Sequence, residues 1–117
     1  MINIYDSVNK LASDLQQTPE YTALKNSIDA VRKNETSLAL FKQLDKLQGE
    51  VMQAQSAGKA LTEDQQKQMK DLDTKISQDG ALQGLLLAEQ QVYGLLNDIQ
   101  KTTSKPITDL YDDLRNA

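Results

Sequence analysis

The chain has 117 residues, with 13 Lys or Arg against 17 Asp or Glu and a formal net charge of -4, a length that suits one domain able to bury roughly two-thirds of its unfolded surface. The lysines are interleaved with acids, so there is no basic footprint for a phosphate backbone and direct nucleic-acid binding is not expected. Cys and His are both absent, which excludes disulfides, thiolate or imidazole metal sites and every Ser–His or Cys–His nucleophile pair.

Bulk for a core must come from Leu, because there is one Phe, no Trp and four Tyr. Leucine-rich chains with only two prolines and five glycines favour helix packing over a sheet. The expected fold is all-α: a single domain over 1–117, built as a small helical bundle with a long antiparallel helical hairpin, about Glu35 to Asp79, and a central apolar helix. The start MINIYDSVNK has no basic stretch leading into an apolar run, and no segment approaches the ~18 consecutive apolar residues of a membrane span. A cytoplasmic protein with no membrane contact is the expectation.

In chain order, Ile4, Val8, Leu11, Ala12 and Leu15 share one face and predict a first helix over about 4–17. Thr18 then caps a second helix over about 19–33, with Pro19 and Glu20 suited to its first turn and Arg32 and Lys33 to its last. Asn34 is expected to stop that helix in a left-handed conformation and to cap the third, over about 35–57, which Gly58 ends. Thr62 and Gln65 have capping-box spacing and open a fourth helix over about 63–79. Along it Glu63, Lys67, Asp71 and Lys75 form a row of alternating charge at four-residue steps. Asp79-Gly80 reads as its stop.

The fifth helix, over about 81–103, is the most apolar stretch, with Leu82, Leu85, Leu86, Leu87, Val92, Leu95, Leu96 and Ile99. Its apolar arc is wide enough for a central position, and Gly84 and Gly94 are expected to admit a close neighbour. Ser104-Lys105-Pro106 reads as a break, since Pro removes a backbone donor and disfavours helix at the residue before it. A short sixth helix over about 106–115 carries Ile107, Leu110, Tyr111 and Leu114.

Within the hairpin, Leu40, Leu44, Leu47, Val51 and Ala54 recur at alternating steps of four and three, and Met69, Leu72 and Ile76 answer from the second arm. At ~1.5 Å per residue the first arm spans ~35 Å. A thin seam of that length, with Met52 and Leu61 near its tip, is the candidate surface for self-association or a partner protein. No catalytic, cofactor or metal residues are assigned. Asp109, Asp112 and Asp113 with Glu89 read as a solvated face, Lys101 and Lys105 as compensation of a helix dipole, and the glycines lack the context of a phosphate loop. Tyr5, Tyr21, Tyr93 and Tyr111 are expected in or at the edge of the core in preference to forming a recognition patch.

Several segments together carry a family resemblance: Asn3-Ile4-Tyr5-Asp6, Pro19-Glu20-Tyr21 with Leu24-Lys25, Phe41, Gly58 with Leu61-Thr62, Leu86-Leu87-Ala88-Glu89-Gln90, and Lys105-Pro106-Ile107 with Leu110-Tyr111. Their order and spacing resemble the YheA-like branch of the YlbF/YmcA family of Firmicutes, over essentially the whole chain. The resemblance implies a small all-helical cytoplasmic protein that associates through long helices and has no known enzymatic activity. It also implies kinship with YlbF and YmcA, subunits of a regulatory complex with YaaT that influences competence, sporulation and biofilm formation and works with a membrane-tethered endoribonuclease. The cysteine-ligated iron–sulfur clusters of that complex do not carry over to a chain without cysteine.

The expected function is therefore a non-catalytic oligomeric adaptor or regulator, a homodimer or higher homo-oligomer with other proteins as possible partners. Two other readings compete with it. A holdase-like chaperone would grip clients with the hairpin, where Met adapts to varied surfaces. A secreted helical-hairpin substrate of a specialised export system fits the length and acidity but lacks a Trp-x-Gly turn. An enzyme is disfavoured for want of a poised acid–base pair.

Overall fold

The computed structural model describes residues 2–117, and over them the chain is all-α. Five helices, α1 (Ile4–Leu15), α2 (Pro19–Lys33), α3 (Glu35–Ser56), α4 (Glu63–Ser77) and α5 (Gly80–Arg115), occur with no strand among the described residues.

The helix starts are set by side chains that accept from otherwise orphaned backbone donors. Asn3 Oδ1 accepts from the Tyr5 amide at 3.1 Å, Thr18 Oγ1 from Tyr21 at 3.2 Å and Asn34 Oδ1 from Ser37 at 3.1 Å. Thr62 and Gln65 form the reciprocal capping box, both bonds being 3.1 Å. At the other end of the hairpin's first arm, Gly58 takes a φ of 69°. The Lys59 amide then donates to the Ala54 carbonyl at 2.8 Å and the Gly58 amide to Gln55 at 3.1 Å, the paired bonds of a Schellman stop.

Helix boundaries depart from the sequence-based expectation at Asn34 and at Asp79-Gly80. Asn34 ends α2 in an extended conformation, φ -108° and ψ 112°, and not in the left-handed one; an extended residue interrupts the helix equally well and frees the side chain to cap α3. Gly80 is the first residue of α5 and has no positive φ. Asp79 accordingly acts as a start signal, its Oδ1 accepting from the Leu82 amide at 2.9 Å, while α4 ends at Ser77 with Gln78 as its cap.

By the density of its contacts the chain falls into two compact units. The unit Lys25–Leu87 contains the end of α2, the α3–α4 hairpin and the first turns of α5. Its core is Val31, Leu40, Leu47, Leu72, Ile76, Leu82 and Leu85, at roughly 1.5–3 kcal/mol per fully buried apolar side chain. Gln83 Nε2 donates to the Ile76 carbonyl at 2.9 Å, tying the first turn of α5 to the last of α4. The charge row Glu63, Lys67, Asp71 and Lys75 carries none of the ion pairs found among the described residues, so it acts as a hydrated stripe.

The other unit is Met1–Leu24 with Ala88–Ala117. Ala88 is its buried residue, and Leu11, Leu15, Ala23, Leu24, Val92, Leu95 and Ile99 are half-buried. From residue 100 to 117 every side chain is exposed, so burial along α5 ends at Ile99, the last apolar residue of the stretch expected to be central. The reason lies in composition: after Ile99 the covered face runs on through Thr102 and Pro106, which give a neighbour little to bury against.

The expected break at Ser104-Lys105-Pro106 is absent, and α5 continues through Pro106. The proline leaves the Thr102 carbonyl without its helical donor, and solvent exposure lets water take that place. Thr102 and Thr103 hydroxyls donate back to Asp98 and Ile99 carbonyls at 2.9 and 3.0 Å, and Lys105 bridges Asp109 at 2.8 Å, holding the turns on both sides. Gly84 and Gly94 do not mark close approaches, since a Cβ at either would meet nothing within 4 Å.

Candidate interaction surfaces

The hairpin seam is consumed within its own unit. Leu40, Leu47, Leu72 and Ile76 are buried, Leu44, Val51, Ala54, Leu61 and Met69 half-buried, and only Met52 stands out at 67% exposure. A heptad-like stripe states that a helix has a partner and leaves open whose helix it is. Here α4 supplies the partner for α3. The groove beside it mixes Lys46, Glu50, Gln65, Asp71 and Lys75, with no convergent set of one charge.

Where the hairpin joins α5, Ser37 and Asp79 form a polar node. Ser37 is fully buried; its hydroxyl donates to the Asp79 carboxylate, whose oxygens lie 2.8 and 2.7 Å away. The Leu82 amide and then the Ser37 hydroxyl hold the Asp79 carboxyl below the usual carboxylate range; burial opposes them, and the Ala81 amide adds a contribution smaller than that opposition. Each donor already has a structural role, so the node fastens α3 to the start of α5 and offers no free acid or base. No group of three Asp, Glu, His or Cys side chains that could hold a metal ion occurs among the described residues. Near the end of α5, Asp109 pairs with Lys105 and Asp112 with Arg115, both at 2.8 Å.

In the other unit the exposed surface includes apolar side chains on two helices. On α1, Ile4, Tyr5 and Val8 are exposed, although Ile4 and Val8 continue the face on which Leu11 and Leu15 are half-buried. On α5, Tyr93, Leu96, Ile107, Leu110, Tyr111 and Leu114 are exposed, between 42% and 70%. All four tyrosines lie outside the core, because their helices are covered on one narrow side only. Tyr93 and Leu96 lie three apart before Pro106, and Ile107, Leu110 and Leu114 follow it at steps of three and four; the eleven residues from Leu96 to Ile107 are about three helical turns, so both sets share one side of α5. That regularity was present in the sequence, and dividing the segment at the proline hid it.

No helix among the described residues is long and apolar enough to cross a membrane. Among solved structures, a protein of unknown function (DUF964) from Bacillus stearothermophilus shares the fold, with a TM-score of 0.83 at 22% identity over 92% of this chain and 95% of that one. A UPF0342 protein of Lactobacillus delbrueckii subsp. bulgaricus is 54% identical over 117 residues, all of both chains. One from Lactobacillus acidophilus is 52% identical over 98% of this chain and 99% of its own, and one from Lysinibacillus sphaericus 30% identical over 98% and 100%. The family model described as "Control of competence regulator ComK, YlbF/YmcA" matches residues 4–108, and the chain belongs to that YlbF/YmcA family.

Proposed function

We propose that this protein is a non-catalytic helical adaptor or regulator that self-associates and acts through protein–protein contacts. The observation that carries the reading is the apolar stripe left uncovered on α1 and α5. The family's description concerns control of a competence regulator, which supports a regulatory role over a metabolic one. The absence of cysteine accords with a reducing cytoplasm as its setting, and neither nucleic acid nor membrane is part of the reading.

Sedimentation velocity at micromolar concentration tests it. A dimer or larger species is expected. A monomer at all concentrations, together with no specific protein co-purifying from the native cell, would overturn the reading.

A further inference from the structure

We propose that α5 pairs with α5 of a second copy as an antiparallel two-helix seam whose two-fold axis passes between Lys101 and Thr102. This rests on the reading of the chain as self-associating and adds the surface, the partner and the register. The seam is Tyr93, Leu96, Gln100, Thr103, Ile107 and Leu110. Its steps are three, four, three, four and three, and its chemistry from either end reads apolar, apolar, polar, polar, apolar, apolar. An antiparallel pair reads one copy forwards against the other backwards. Tyr93 therefore meets Leu110 of the second copy, Leu96 meets Ile107, and Gln100 meets Thr103, like against like at every position.

The register is specific. Sliding one helix by a heptad in one direction sets Gln100 against Leu110 and Thr103 against Ile107. That leaves an amide and a hydroxyl facing hydrocarbon without partners. Charge selects the orientation. A parallel pair in register brings Asp109, Asp112 and Asp113 of both copies to one end and aligns the two helix dipoles. The antiparallel pair separates the two acidic clusters and lays each beside the stretch from Gln90 to Gly94, which carries no charge.

Area agrees with a second copy as the occupant. The four apolar seam residues, Tyr93, Leu96, Ile107 and Leu110, are on average a little more than half exposed. Taking roughly 200 Å² for each full side chain, they offer about 470 Å² per protomer, somewhat over half of the roughly 800 Å² that each partner contributes to a standard interface. Gln100, Thr103 and the side chains flanking the seam supply the remainder.

The chain has no cysteine, so introduced thiols report register without interference. An equimolar mixture of L96C and I107C proteins is expected to form an intermolecular disulfide on mild oxidation. The yield should be about tenfold above either variant alone, because in this arrangement identical positions lie about 16 Å apart along the axis, beyond the reach of a disulfide. In parallel, the I107K/L110K variant is expected to raise the dimer dissociation constant by at least about a hundredfold while keeping its helical circular dichroism, since both side chains are exposed in the single chain. Self-crosslinking of L96C and of I107C with no gain on mixing means a parallel pair and overturns the proposal. A wild-type dimer that neither crosslinks nor responds to I107K/L110K also overturns it but leaves self-association intact through another face. A wild-type protein that is monomeric throughout removes both.

Discussion

Ser37 and Asp79 lie 42 positions apart in sequence, and a single hydroxyl proton joins them across 2.7 Å. The same Asp79 carboxylate accepts from the Leu82 amide, and the Ser37 amide donates to Asn34. Two helix starts, those of α3 and α5, are thus locked through one side-chain pair. Replacing Ser37 by Ala removes the hydroxyl donor and leaves the carboxylate to its backbone partners, a charge-assisted bond being among the stronger ones. S37A is expected to lower the melting temperature by several degrees. An unchanged melting curve would mean that water replaces the hydroxyl at no cost.

The second prediction concerns acid. The folded carboxylate of Asp79 ionises below its usual range, so the native state holds its proton less tightly than the unfolded chain does. The sign follows by linkage: the contribution is fully present above the unfolded value, near pH 4 for Asp, and is lost as pH falls through the folded value. Thermal melts from about pH 7 to 3 should show wild type losing stability at the acid end. D79N should start lower and vary less, because Asn still caps a helix but cannot deprotonate. Parallel pH profiles for the two proteins would rule the node out as the source.

How legible this was depended on the range of the chemistry. The Thr62–Gln65 box and the Gly58 stop were legible because each is complete within five or six residues. The α3–α4 seam was legible as a seam, since Leu40, Leu44 and Leu47 lie at the steps of a paired helix, but spacing does not say whether the partner is in the same chain. Asp79 was misread because Asp-Gly serves both as a helix stop and as a helix start, and Ser37 is what decides between them. Pro106 was misread for a related reason: its cost depends on whether the orphaned Thr102 carbonyl is wet, a tertiary fact. Both errors fell on the segment whose uncovered face carries the proposed function.

The third prediction separates two glycines. Gly58 has a φ of 69° and open space around it, so any penalty of G58A comes from the backbone alone. About 1 kcal/mol of destabilisation is expected. Gly49 lies inside α3 with equally open surroundings, and G49A should stabilise by up to about 1 kcal/mol. Chemical denaturation of both reads the contrast directly. Equal signs would mean that local conformation does not govern these sites.

The fourth asks whether the hairpin seam is internal in solution. Leu72 is 5% exposed and Met52 67%. L72A should cost about 2–5 kcal/mol, and M52A should stay within about 0.5 kcal/mol. If the seam instead served mainly between chains, L72A would shift the association constant and leave the stability of the dilute protein nearly untouched.

The last prediction turns on Pro106. Alanine there restores a donor for the Thr102 carbonyl and removes the ring that forces α5 to bend. In an interior, covered helix that exchange is worth about 3 kcal/mol. Residues 100–117 are all exposed in the single chain, so P106A is expected to change global stability little. The gain should appear locally, as higher mean helicity and slower amide exchange on both sides of position 106. The consequence for association is opposite in direction. The apolar stripe spans position 106, with Tyr93 and Leu96 before it and Ile107 and Leu110 after it. Proline inside a helix kinks it, so its replacement changes the angle between those two halves, and P106A should weaken dimer formation even as it strengthens the helix. Tighter association together with higher helicity would show that the bend opposes pairing and is no part of the surface.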